Sequence, residues 1–282
     1  MSTIIGAADA PIEKLPLWST IRLSYATCFQ HFRDGLRISA LWLPLLAVVA
    51  AVAGWLQASL LEEMLAKPQP EVDLSQPVHM LILGYAEHLV LGFAAISSAV
   101  AWHRLLLLNE APGLSGGNIG TRSLWRYVGV GIVIFLISAL PVAAVLLPMA
   151  LLGLLPAAGR PPPIEIAVIA FAYIVSMALM LRLSLLLPAR AAGNISLTFK
   201  DAWRHTRGNA WRIFWGIVAC ALPPFLLANA VFVGLVSVPI GDGLYLAQWA
   251  MASALSLCCW LLGWPIWVSF LSHAYRHLAS AA

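Results

Sequence analysis

Residues 126–156 read RYVGVGIVIFLISALPVAAVLLPMALLGLLP, and no charged side chain follows Arg126 in that run. A helix crosses the hydrocarbon core of a bilayer with about 20 apolar residues. In lipid no water is available to the backbone, so such a run must satisfy its own N–H and C=O groups as a helix. The run is longer than a crossing needs and carries Pro141 and Pro148. Its length and prolines leave room for a tilted or a broken helix, and the sequence alone does not decide whether it is one straight span.

Five further segments meet the same criterion: 38–60, 78–103, 164–187, 212–240 and 244–271. The chain is 61% hydrophobic and 10% charged, with a mean hydropathy of +0.88. A soluble domain carries roughly 25% charged residues, so this chain lacks the polar surface that water requires. The fold class expected is all-α: an integral membrane bundle of six transmembrane helices, with amphipathic interfacial helices on the cytoplasmic side. The whole of 1–282 reads as one polytopic domain whose residues 1–35 form a cytoplasmic N-terminal segment. No continuous apolar stretch precedes Ile38, so no cleavable signal peptide is expected.

Charge sets the orientation. Six alternating spans put the N-terminus, the 104–125 loop, the 188–211 loop and the C-terminus on one side. Of the 16 Lys and Arg residues, only Lys67 and Arg160 fall on the other. The positive-inside rule makes the populated side cytoplasmic. Glu62, Glu63, Glu71, Asp73, Glu165 and Asp242 fall on the sparse side. Trp102, Trp125, Trp203, Trp211 and Trp267 cluster at the populated boundary, the depth an indole prefers. The net charge of +4 is thus a topological signal, and no nucleic-acid partner is expected.

The populated side carries more than loops. Over 18–33, Trp18, Ile21, Tyr25, Cys28, Phe29 and Phe32 recur at helical spacing, which predicts a helix lying in the headgroup plane. A second such helix is expected over about 198–210. Thr198 and Asp201 have capping-box spacing, Phe199, Ala202, Trp203 and Thr206 form the apolar side, and Lys200, Arg204 and Arg207 form the polar one. Arginines open each odd span (Arg37, Arg126, Arg212) and close each even one (Arg104, Arg182, Arg276). Three helical hairpins give that pattern, and so does the general preference of cytoplasmic helix ends for Arg. Small residues four apart occur at Ala47/Ala51, Ala50/Gly54, Ala94/Ser98, Ala95/Ala99 and Ala250/Ala254. This spacing lets helices approach closely, either inside the bundle or at a homo-oligomer contact.

Few residues can carry chemistry. Glu87 lies about nine residues inside the second span, hence about 13 Å from the outer boundary at about 1.5 Å per residue. His88 follows it. An ionisable group at that depth is costly, and the pair is the candidate intramembrane functional site. Arg104, Arg182, Arg204, Arg207 and Arg212 are read as interfacial anchors to anionic headgroups. His273 and His277 are four apart, but a pair without a third ligand is a weak metal signal. Cys28, Cys220, Cys258 and Cys259 lack metal or redox spacing and are read as free thiols. Gly116-Gly117-Asn118-Ile119-Gly120 lacks the lysine of a phosphate loop and is read as a turn. No catalytic, metal or cofactor motif stands out, so neither a cofactor nor an enzymatic activity is expected.

One resemblance is visible. The runs Arg182-Leu-Ser-Leu-Leu-Leu-Pro188, Ser196-Leu-Thr-Phe-Lys-Asp-Ala-Trp203 and Thr206-Arg-Gly-Asn-Ala-Trp-Arg212, with Ala101-Trp-His-Arg104 before Asn109-Glu110, resemble a group of uncharacterised proteobacterial inner-membrane proteins. More distantly, the six-span layout is similar to the membrane domain attached to some bacterial glycerophosphodiester phosphodiesterases. No soluble phosphodiesterase domain is expected within residues 1–282, so that activity is not carried over, and the resemblance implies a bacterial cytoplasmic membrane and no site residues. The function expected is non-enzymatic, scaffolding or regulating a membrane or envelope complex. The alternative is a carrier of a small amphiphilic or lipid-like molecule with Glu87 in its pathway.

Overall fold

The computed structural model describes residues 13–66, 75–113, 120–151, 163–238 and 244–279. Lys67, Glu71, Asp73, Gly116 to Ile119, Arg160 and Asp242 lie outside them. The described residues form ten α-helices and no strand. In chain order these are α1 (Leu17–Gln30), α2 (Phe32–Ser39), α3 (Trp42–Ala66), α4 (Ser75–Leu108), α5 (Arg122–Leu151), α6 (Pro163–Leu183), α7 (Leu186–Ala191), α8 (Phe199–His205), α9 (Ala210–Val236) and α10 (Tyr245–Ala279). Six of them, α3, α4, α5, α6, α9 and α10, are long and apolar enough to cross a membrane. The chain is an all-α, multi-pass membrane bundle.

The spans fall where hydropathy put them, but they divide the work unequally. The spanning window of α4 is 61% buried inside the protein, against 11% for those of α5 and α6. Mean hydropathy runs the other way, 1.5 for α4 and 2.8 for α5. A helix ringed by protein can carry small and polar residues, whereas a helix facing lipid must be apolar around its circumference. The run that announces the membrane most loudly is therefore the peripheral one. Phe135, Leu136, Leu140 and Leu147 on α5, with Ile164, Phe171 and Ile174 on α6, all point outward. Pro141 and Pro148 sit inside a helix that continues through both.

The centre is α10, which packs on α9, α3, α4, α1, α2 and α7. Against α9 the approach is close enough to need glycine. A Cβ on Gly216 would sit 1.9 Å from Cζ of Phe270, and one on Gly263 would sit 2.1 Å from Cβ of Pro224. Pro224 thus rests in the notch that Gly263 leaves, and α10 continues through Pro265, which is buried. Gln248 closes the far end of this hairpin by donating to the carbonyls of Leu235, at 2.5 Å, and Val238, at 2.7 Å. Those carbonyls belong to the last turn of α9 and the residues after it, where the helix leaves acceptors without internal donors. Against α3, a Cβ on Gly54 would meet Oγ of Ser253 at 2.4 Å.

The small-residue pairs now have a place. Ala50 and Gly54 are buried on α3, as are Ala94, Ala95, Ser98 and Ala99 on α4. Ala94 packs with Trp42, Leu46 and Leu261 where α3, α4 and α10 meet. These pairs serve the interior of the bundle.

Candidate functional site

The arginine-rich end of the bundle is built like a platform, and α1 is its first layer. The helix turns Thr20, Ile21, Ser24, Thr27 and Cys28 inward, onto α10 and α9. Thr20 and Ser24 return their hydroxyl protons to Pro16 O, at 2.8 Å, and Thr20 O, at 2.7 Å, so they pack as small residues without stranding a donor. Thr27 Oγ1 lies 3.1 Å from Nε2 of His273, and Tyr25 donates to the carbonyl of Ala219 at 2.9 Å. Trp18, Phe29 and Phe32 remain exposed. The aromatic stripe read from the sequence is thus split: Ile21, Cys28 and, in part, Tyr25 enter the protein while Trp18, Phe29 and Phe32 stay outside it.

Residues before α1 are stitched to the start of α9. The Leu15 N–H donates to Oδ1 of Asn209 at 2.9 Å, and Nδ2 of Asn209 donates to Glu13 O at 3.0 Å. Arg212 donates to Leu15 O at 2.7 Å. Leu15 and Asn209 are both fully buried.

Of the arginines read as anchors to headgroups, Arg104, Arg182, Arg204 and Arg212 have protein partners. Arg104 donates twice to the Glu110 carboxylate, at 2.7 and 2.5 Å, and once to the carbonyl of Ala191, at 3.2 Å. It ties the end of α4 to the end of α7. Arg182 lies over the Trp203 ring, 3.9 Å from its centroid, in a cation–π contact. Arg204 sits 3.5 Å from Asp201 on α8, and Arg207 is exposed. Arg190, not among the anchors expected, donates to Asn194 O at 2.5 Å and Leu197 O at 2.9 Å, fixing the turn between α7 and α8. At the start of α8 the Thr198–Asp201 box is complete. Asp201 N–H donates to Thr198 Oγ1 at 3.2 Å and Thr198 N–H to Asp201 Oδ2 at 3.0 Å. Hydrogen bonds from Thr198 hold the Asp201 carboxyl below the usual aspartate range.

Polar contacts also join α4 to α10. Trp102 Nε1 donates to Ser269 Oγ at 2.7 Å, and His103 Nδ1 lies 2.7 Å from Ser272 Oγ. Ser272 gives its only proton to Val268 O, so His103 must donate from Nδ1. Its Nε2 then holds a lone pair that is buried and without a hydrogen-bond partner among the described residues. The ring leans on Tyr127, with centroids 5.9 Å apart.

Between α1, the end of α4 and the end of α10 lies a cavity of about 580 Å³. It is lined by Gln30 and His31 from the α1 side, Asn109 after α4, and His273, Arg276 and His277 from α10. Arg276 also donates to Leu106 O, and His277 Nε2 lies 3.7 Å from a Glu13 carboxylate oxygen. His273 and His277, four apart in sequence, therefore share a cavity. No group of three metal-ligating side chains occurs among the described residues.

Glu87 and His88 lie elsewhere, toward the opposite end of α4. Glu87 is half-buried and His88 exposed, between exposed Tyr85 and Leu89. Glu87 is two turns beyond Ala94, on the same side of the helix. It lines neither this cavity nor a smaller one of about 10 Å³ bounded by Cys28, Gly35, Trp102 and Pro265.

Comparison of the chain with family models, curated proteins and solved structures finds no match.

Proposed function

We propose that this chain is a non-enzymatic protein of the bacterial cytoplasmic membrane that scaffolds or regulates a membrane or envelope complex. Its arginine-rich face lies in the cytoplasm, by the positive-inside rule. The observation that carries the reading is what the arginines of that face hold. Arg104, Arg190 and Arg212 grip the chain's own backbone, and Arg182 covers Trp203. They fasten α1, α7 and α8 to the bundle instead of converging on a reactant. A pre-assembled, basic, aromatic-rimmed surface suits a docking role, because little order remains to be imposed when a partner binds.

The test is affinity purification of the full chain from its own membrane in mild detergent, with cross-linking and mass spectrometry. A recurrent, near-stoichiometric partner or a defined homo-oligomer is expected. A chain that is always a solitary monomer overturns the proposal.

A further inference from the structure

We infer that the cavity between α1, α4 and α10 binds a phosphate monoester joined to an apolar body. The inference does not rest on the scaffolding proposal. At about 580 Å³ the cavity is in the range of small-ligand sites, roughly 300–1,000 Å³. Among the described residues its ionisable lining is Arg276 with three histidines, His31, His273 and His277, and no carboxylate. Glu13 approaches His277 and Asp34 approaches His31, but both carboxylates belong to residues outside the lining.

Donors enter from three elements. Arg276 keeps its charge whichever partners its N–H groups hold, and the amides of Gln30 and Asn109 add neutral donors. The Ser19 and Thr20 hydroxyls donate to Pro16 O, so toward the cavity they act as acceptors, as the P–OH of a singly ionised monoester requires. A tetrahedral anion presents oxygens to donors arriving from three directions, whereas a carboxylate offers two oxygens in one plane. Leu23, Leu105 and Leu106 line the same space, and Leu23 is half exposed on α1, so an apolar chain can lie beside the charged head. Two sources have this chemistry: a lipid ending in a phosphate, and a soluble phosphomonoester.

The full chain in phosphatidylcholine nanodiscs is titrated with hexyl phosphate and with hexanoate by calorimetry. Discs doped with phosphatidic acid are examined for retained lipid by native mass spectrometry. Saturable binding of hexyl phosphate, or selective retention of phosphatidic acid, is expected; the first arm alone marks a soluble ligand and the second alone a lipid. Arg276→Gln should weaken either by ~10-fold, the loss of one charge-assisted contact. Because Arg276 also holds Leu106 O, Gln30→Glu is the second variant, placing a carboxylate in the lining at an exposed position. Binding to neither probe, equal affinity for hexanoate and hexyl phosphate, or undiminished binding by folded Gln30→Glu overturns the inference.

Discussion

The ring of Phe270 lies across Gly216, so that a single added methyl group on Gly216 would overlap it at 1.9 Å. Phe270 is itself fully buried among Ile213, Cys220 and Ala274, and has nowhere to swing. Gly216→Ala must therefore push α9 and α10 apart or force the ring off its rotamer. Overpacking of this kind costs about 1–3 kcal/mol. The expected result is a lower thermal midpoint in detergent, restored in part by Phe270→Leu in the same chain. An unchanged midpoint for Gly216→Ala would show that the contact is looser than described.

Asn209 joins the segment before α1 to α9 through both ends of its amide. Asn209→Leu leaves the Leu15 N–H and the Glu13 carbonyl without that partner. Each stranded group costs about 1–3 kcal/mol if it stays buried. Release of residues 13–15 is the cheaper response, so proteolysis near Leu15 should accelerate while the spans stay protected. Wild-type cleavage rates would count against the stitch.

Acid should loosen α8. The Asp201 carboxyl is held below its ordinary range by Thr198, so it is ionised more readily in the folded chain than in the unfolded one. Its contribution is complete above the ordinary aspartate range and is lost as pH falls through the lower, folded value. Hydrogen exchange at α8 should speed up over that window relative to α9. In Asp201→Asn the difference between acid and neutral conditions should vanish; a persisting difference would assign it to another group.

Thiol labelling reads packing and topology together. Burial pushes the Cys28 thiol up to about 11, so near neutrality almost no thiolate is present. Native Cys28 should resist maleimide in intact membranes. A cysteine placed at exposed Trp18 or Ile195 should react with an impermeant maleimide from one side, and one at exposed Leu244 from the other. Labelling of Ile195→Cys and Leu244→Cys from the same side would break the six-span count.

Spans were readable because hydropathy is a property of each residue and its near neighbours. The ends of α5 and α9 fall within a few residues of the positions expected, and the Thr198–Asp201 cap needed only a spacing. What α1 buries was not readable in the same way. Ile21 and Cys28 of the expected stripe are buried, but Thr20, Ser24 and Thr27 are buried beside them while Trp18 and Phe29 are not, since small hydroxyl residues let a helix come close and Thr20 and Ser24 satisfy themselves on its own carbonyls. Arginine partners such as Leu15 O and Ala191 O are backbone atoms far away in the sequence, and backbone atoms leave no trace in residue type. The cavity draws on residues near 16–31, 105–109 and 273–277, and only the His273–His277 spacing hinted at it.

The helix that touches most of the others, α10, follows every one of them in the chain. During synthesis α3, α4 and α9 enter the bilayer before their shared partner exists. Until α10 arrives, the side of Gly216 that Phe270 will cover stays open, and α1 has only part of its seat. The contacts that α3, α4 and α9 share through α10 can therefore form only after all three have been made.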